Sequence, residues 1–526
     1  MDERPKPPVF TLAVSLKDMA IAPDPAVFNT THISPLKTRD NEPSVSQTAA
    51  HLLLMEAIWR WRRDLVSGSK SKSLMDILHS GHVSPTGINP EGQNKILVST
   101  VVEIAVPRFE AWWLEVSARL PSDKQMELPA TLLPPIDVML IWHSYLLNPL
   151  LYADDCVRLG ADSMQNIAFP WQTICDVVDL DTLAYQPCRV AVEFFETLTG
   201  RSSNIVDDIL SGAPSTKYTQ PCPFCPQVTE VPIIDSVQVE DLTTGFELKC
   251  SCGYSPAVED LRQDIGRGLN WQSASISPSF QSVLHRAFPL ADPSPTPNIS
   301  LHNMQTTLRE ATSTASEKRA VEHVLSFYVV KPPTTHSAVS HYSAVLRDLR
   351  FIDSMHEYMW LRSPTLYRPG PPPTGTLPRA QQKYRNFIRL AKIKPSVQIV
   401  PTRDLDLFWH THVMSPGVYH AYCLVNAGTV IGHDDKVSEE VLETGRGSSP
   451  GVYKEVFGGE YEGCFCVPCE IERDYRDLGK EEHPDGEWER RVEAFFWQEV
   501  ERRREADEVG YSRQSLRDML RDGPVY

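Results

Sequence analysis

No apolar run in the chain is long enough to cross a bilayer. The longest, Ile96 to Val106, is broken by Glu103 and stopped by Pro107, well short of the roughly 18 to 20 residues a membrane helix needs. A membrane is therefore not an expected partner. The opening residues, Met1-Asp2-Glu3-Arg4-Pro5-Lys6-Pro7-Pro8, offer no basic stretch leading into an apolar one, so no secretory signal is expected. Glycine is scarce, 26 of 526 residues, which excludes collagen-like and glycine-rich low-complexity readings. Eleven cysteines, an odd and small number for this length, do not make a disulfide framework. The expected setting is reducing and intracellular, cytoplasmic with the nucleus also open. Positive charge is short as well: 51 Lys and Arg against 68 Asp and Glu give a net charge of −17, which repels phosphate backbones. The one basic cluster, Arg502 to Arg504, lies among Glu499, Glu501 and Glu505 and reads as a salt-bridged helix face. Protein partners are expected, and nucleic acid is not.

What is present points to helices. The hydrophobic share of 41% and charged share of 23% are those of a globular chain, and the length implies two or more domains. Leu54, Ile58, Trp61 and Leu65 fall on one helical face. A second helical pattern starts near Lys95, is interrupted at Pro107, and resumes through Phe109, Trp112, Trp113 and Val116. Helical texture returns at about 316–329, 338–362, 379–392 and 403–425. The 43 prolines cluster at boundaries. The domain reading is an N-terminal extension 1–44, a first helical half 45–215, a zinc-ribbon-like module 216–288, a Pro-rich linker 289–315, a second helical half 316–475 with a Cys cluster, and an amphipathic C-terminal piece 476–526. The expected fold is mainly α, two related helical halves with a small β insertion between them.

Seven of the cysteines sit in two clusters. Cys222-Pro223-Phe224-Cys225 and Cys250-Ser251-Cys252-Gly253 are separated by β-prone sequence, Val231 to Val239 and Gly245 to Lys249. Two short thiolate pairs about one hairpin apart suit a tetrahedral zinc with no open position, hence a structural ion. Cys464, Cys466 and Cys469 supply three thiolates in six residues and need a fourth ligand, for which His433, His410, His412 and Cys423 are candidates. A closed site would be structural, and an open fourth position would allow a metal-bound water. Zinc is the expected cofactor.

The chain also contains an internal repeat. Asp137, Trp142, His143, Pro149, Tyr152 and Cys156 recur as Asp404, Trp409, His410, Pro416, Tyr419 and Cys423, 267 residues on. Each segment reads as a helix carrying Trp-His, then a turn with Asn148 or Ser415 as N-cap and proline in the first helical position. Internal duplication is the economical explanation. The Trp is expected to fill the core while the imidazole makes one buried hydrogen bond, to the Asp or the Tyr of its own repeat. The alternative is that His143 and His410 approach each other or line a pocket as metal ligands or proton carriers. Asp406 shares a helical face with His410, whereas His412, two residues on, points elsewhere.

The Asp-x4-Trp-His-x5-Pro-x2-Tyr-x3-Cys segments, with Val400 to His412, His433-Asp434-Asp435-Lys436 and Cys464-x-Cys466-x2-Cys469, resemble the glycine-rich domain-containing protein-like (GRDP-like) family, especially its fungal members, over most of residues 45–475. The resemblance implies an uncharacterised intracellular protein, read here as a zinc-stabilised helical scaffold for protein interaction or regulation. The family's glycine-rich tail has no counterpart in this sequence, so RNA binding does not carry over. The alternative is a metal-dependent enzyme, a hydrolase or an Fe(II)/2-oxoglutarate-type oxygenase, using His410, His412, His433, Asp434 or Asp435. His433-x-Asp435 satisfies the His-x-Asp element of such oxygenases, but the chain lacks the regular short strands of their barrel.

Overall fold

The computed structural model describes residues 42–78, 90–212 apart from 123 and 181, short stretches at 217–221, 228–233, 282–283, 286–287, 307–314 and 317–318, then 341–357, 376–432 apart from 396 and 398, and 449–458, with a few further positions elsewhere. The architecture is mainly helical. The helix α1 spans Val45–Ser67, α2 Ser71–Leu78 and α3 Pro90–Arg119. A two-residue strand β1, Met126–Glu127, precedes α4, Ile136–Leu146, α5, Pro149–Arg158, and α6, Asp162–Gln165. Strand β2, Ile167–Ala168, pairs in parallel with β1. There follow α7, Trp171–Val177, α8, Arg189–Thr199, and α9, Ile205–Leu210. An antiparallel hairpin of β3, Lys217–Pro221, and β4, Val228–Pro232, comes next. The later helices are α10, His341–Glu357, α11, Thr376–Ile393, α12, Arg403–Val413, and α13, Pro416–Asn426. No helix of the described residues is long and apolar enough to cross a membrane.

Helix α1 starts with a capping box in which Ser44 and Gln47 satisfy each other's backbone N–H groups, a local device that fixes the entry of the chain. Its first half is buried on every side, Ser46 through Ile58, so the expected one-sided stripe holds only for the second half, where Trp61 is partly exposed and Leu65 buried. The reason is position: α1 is the central helix, with α10, α7, α12 and α4 all packed on it. Helix α3 does not break at Pro107, contrary to the sequence expectation; the helix runs through it. Tertiary packing of Val101, Val102, Ala105, Phe109, Trp112 and Trp113, all buried, outweighs the lost backbone bond. One continuous core cluster joins residues from α1 to α13.

Strands β3 and β4 end and begin on either side of residues 222–227 in the sequence. Cys222, Cys225, Cys250, Cys252, Cys464, Cys466, Cys469 and His433 all lie outside the described residues, as do the linker apart from 307–314 and the whole C-terminal piece 476–526.

Candidate functional site: the buried imidazole network

The two Trp-His helices are α4 and α12, and each is followed at once by a proline-started helix. The position of the turn is as expected, but neither Asn148 nor Ser415 caps with its side chain. Asn148 Nδ2 donates back to the Ser144 carbonyl at 2.9 Å. Ser415 Oγ instead accepts from the Phe169 amide at 3.3 Å, a bond from the second half to the first. These side chains serve tertiary contacts that no local pattern encodes.

The indole, not the imidazole, uses the tyrosine of its own unit. Trp409 Nε1 donates to Tyr419 Oη at 2.8 Å, and Tyr419 donates to the Ile431 carbonyl at 2.5 Å. Trp142 Nε1 meets Tyr152 Oη at 3.5 Å, and Tyr152 donates to the Met164 carbonyl at 3.3 Å. All three residues match at the same spacing. The hydroxyl that follows each histidine behaves alike too: Ser144 Oγ donates to Leu140 O at 2.9 Å and Thr411 Oγ1 to Leu407 O at 2.7 Å. Burial pushes the Cys156 thiol well up and Cys423 to about 11; both are inert core thiols at neutral pH. Removing the hydroxyl in Tyr419→Phe leaves the buried Trp409 N–H and Ile431 C=O short of a partner. The expected loss is about 1 to 3 kcal/mol in chemical denaturation, and an unchanged midpoint would show that the relay carries no weight.

The motif aspartates each hold a cation from the preceding helix. Arg108 Nε donates to Asp137 Oδ2 at 2.7 Å, while its Nη1 donates to Asp208 Oδ2 at 3.0 Å and to the Ser202 carbonyl at 2.8 Å. The guanidinium stands 4.9 Å from the Phe195 ring centroid. It is fully enclosed and ties α3, α4, α8 and α9 together. Burial pushes the Asp137 carboxyl up and the adjoining Arg108 pulls it down, with burial the larger influence. In the second unit Lys383 Nζ of α11 donates to Asp404 Oδ2 at 3.2 Å. The expectation that the motif Asp bonds the motif His of its own repeat is thus overturned, because a nearby cation offers a stronger partner in a dry interior.

The histidines reach across the halves. His143 Nδ1 lies 2.6 Å from Asp348 Oδ2 of α10, and Ser144 Oγ lies 2.7 Å from the same oxygen. His143 Nε2 lies 2.6 Å from His51 Nε2 of α1, and His51 Nδ1 lies 2.9 Å from Thr411 Oγ1 of α12. The chain of contacts thus runs Asp348, His143, His51, Thr411. All four side chains are buried. Trp171 covers His51, ring centroids 5.3 Å apart. Burial first, and then His143 and His410, push the His51 imidazole well below its ordinary value. His410 itself packs on Phe351 at 4.2 Å between centroids and has Asp406 Oδ1 3.5 Å from its Nε2. His412 is on another face, sharing a 2.7 Å hydrogen bond with the Tyr384 hydroxyl.

The contact between His51 and His143 is a hydrogen bond in its geometry. Two nitrogens bound to one tetrahedral zinc, at ~2.0 to 2.1 Å each, stand about 3.3 to 3.4 Å apart, wider than the 2.6 Å here. Among the described residues no three His, Cys, Asp or Glu side chains are grouped to hold a metal ion. His51 and Asp348 carry no motif and escape sequence reasoning. His51 leaves one trace, a polar ring inside the run Ala49-Ala50-His51-Leu52-Leu53-Leu54; Asp348, within Leu346-Arg347-Asp348-Leu349-Arg350, looks like an ordinary solvated face.

Comparison with known proteins bears on the second unit. Residues 318–423 match the family model described as glycine-rich domain-containing protein-like. Glycine-rich domain-containing proteins 1 and 2 of Arabidopsis thaliana are each 33% identical over 93 residues, 16% of this chain and 11% and 12% of theirs. The chain thus spans about one-ninth of the length of the curated relatives it matches. No solved structure matches it. Over the stretch 318–423, which holds Asp404, Trp409, His410, Pro416, Tyr419 and Cys423, the chain is similar to the GRDP-like family.

Proposed function

We propose that the protein is a helical scaffold for protein interaction or regulation, built from two copies of one Trp-His unit and stabilised by zinc at its cysteine clusters. The observation that carries the scaffold reading is where the motif side chains are spent. Asp137, Trp142, His143, Tyr152 and their second-unit counterparts are all buried and engaged within the core, where they join helices; Asp137 alone of these also borders a cleft, beside Trp61, Tyr185 and Asn204, among the described residues. The matching hydrogen bonds at Trp142 and Trp409, Tyr152 and Tyr419, and Ser144 and Thr411 support a common ancestor, and the run of motifs in 400–469 favours fungal relatives. Zinc would be held by Cys222, Cys225, Cys250 and Cys252 in one site, and by Cys464, Cys466 and Cys469 with His433 in another. Thiolate donors in these spacings suit zinc's tetrahedral preference, and the β3–β4 hairpin has the form from which a knuckle projects. The reduced cysteines Cys156, Cys175 and Cys423 in the core are in keeping with a cytoplasmic setting.

Elemental analysis of protein purified without chelators is expected to find about one to two zinc per chain and negligible iron. Cys250→Ser should remove one equivalent. Stoichiometric iron lost on His433→Ala would replace this reading with the metal-dependent enzyme, and a metal-free chain would remove the zinc from it.

A further inference from the structure

We infer that the cleft beside α8 and α9 is a docking site for a polyproline II segment, and that its occupant is the chain's own Arg4-Pro5-Lys6-Pro7-Pro8. The inference goes beyond the scaffold reading and rests neither on zinc nor on duplication. The cleft measures about 210 Å³, below the roughly 300 Å³ at which small-molecule pockets begin, so it suits one or two side chains of something longer. Trp61 of α1, Pro135 before α4, and Tyr185 and Pro187 of the turn before α8 give it apolar walls, and the exposed Asn204 completes the lining. Asp137 is the one carboxylate there, and Arg108 already holds it. A cationic ligand therefore gains little.

The free donors suit a peptide backbone. Among the described residues neither the Trp61 indole N–H nor the Asn204 side-chain N–H has a hydrogen-bond partner, while the Asn204 oxygen accepts from the Val206 and Asp207 amides. A polyproline II chain makes no hydrogen bonds within itself, so its carbonyls can accept from such groups, and its fixed shape leaves little entropy to lose. Grooves lined by aromatic side chains are what that mode of recognition uses. The wall is also held ready. Tyr185 donates its hydroxyl to the Pro134 carbonyl at 2.8 Å, and its turn contains Leu183 at φ 58°, the one described non-glycine residue with a left-handed φ. That conformation is costly for a leucine and persists where the surrounding structure enforces it; here Leu183 N–H donates to the Asp179 carbonyl at 2.6 Å and Asp179 N–H to the Ala184 carbonyl at 2.9 Å.

The place where the chain enters the described structure decides the occupant. Residues 1–41 lie outside it, and the chain comes in at Glu42, beside the start of α1. From Pro43 to Trp61 is 18 residues, about 27 Å along a helix. The 35 residues from Pro8 to Pro43 can span up to about 115 Å, so the segment reaches the cleft with length to spare. The other proline run, Pro371-Pro372-Pro373, does not. It stops three residues before α11, whose Gln381 donates to the Pro43 carbonyl at 2.8 Å. Only about 10 to 17 Å of chain would then have to cross most of the distance between Pro43 and Trp61.

Binding of a fluorescent peptide of residues 2–11 to the full chain, as wild type and as the triple variant Pro5→Ala, Pro7→Ala, Pro8→Ala, tests this. A tethered segment competes at an effective concentration near millimolar, so the variant is expected to bind the peptide about tenfold or more tightly than wild type does. Within that variant Trp61→Ala should weaken the peptide about tenfold, and Asn204→Ser, which keeps a capping oxygen for α9, should weaken it several-fold. Equal affinity in wild type and variant, no binding to the variant, or binding untouched by both cleft substitutions would each overturn the proposal. So would a peptide of residues 366–375 that binds in place of 2–11. A wild type that runs as a dimer beside a monomeric variant would give the cleft to a second copy and overturn the occupant named here. Should the cleft variants fail to fold, hydroxyl-radical footprinting decides: Trp61 oxidised several-fold faster in the triple proline variant than in wild type, with Trp59 unchanged, supports the docking, and equal rates overturn it.

Discussion

Arg108→Met is expected to cost roughly 3 to 5 kcal/mol, enough to leave a domain of ordinary stability barely folded. The substituent fills much of the same volume, so the loss is not chiefly a cavity. It comes from Asp137 and Asp208, both buried, which would remain in the interior without the guanidinium that now binds both. The carbonyls of Ser202 and Ser203 would lose donors as well. Thermal or urea denaturation reads the effect, and a variant within about 1 kcal/mol of wild type would show that those carboxylates are protonated or hydrated. A triple change, Arg108→Met with Asp137→Asn and Asp208→Asn, should recover part of the loss, because neutral amides are cheaper to bury than unpaired carboxylates.

Acid is the second strong lever. Burial pushes His412 down to about 3, and burial also holds His51 well below its ordinary value. In the unfolded chain each histidine titrates near 6.5. Above that pH neither state is protonated and the neutral buried rings cost nothing extra. As pH falls below 6.5 the unfolded chain gains protons that the folded chain refuses, so stability drops by up to about 1.4 kcal/mol per pH unit per ring. By pH 5 His412 accounts for about 2 kcal/mol, its loss continues to about pH 3, and His51 adds to it in the same direction. Urea midpoints between pH 7.5 and 5 check this. His412→Phe should flatten the slope by about one proton, and an unaltered slope would mean that His412 is not the neutral buried ring described.

The helices were legible in sequence because their signals are local. The Trp-His units and their prolines at 149 and 416 fixed α4, α5, α12 and α13 closely, since proline at the first helical turn and apolar residues on one face act within a few residues. The break expected at Pro107 was not realised, since the cost of one proline is smaller than the burial of Phe109, Trp112 and Trp113 on one rigid helix. The site was half legible. His143 and His410 announced themselves by repetition, but the partners His51 and Asp348 are 92 and 205 residues from His143. No spacing rule spans such separations, and each partner makes sense only once the helices are packed. Asn148 and Ser415 depart from the expected capping for the same reason: a short polar side chain beside a helix start can cap it or reach elsewhere, and the choice is made by what lies opposite.

The crossed histidine contacts also set how far the chain can be divided. Helix α10 reaches the first unit through Asp348, and α1 reaches the second through Thr411, so each unit lends the other a part that it does not keep for itself. A cut in the chain between the two units would therefore strip His143 of Asp348 and His51 of Thr411 at one stroke, so neither piece is expected to keep its interior intact when expressed without the other.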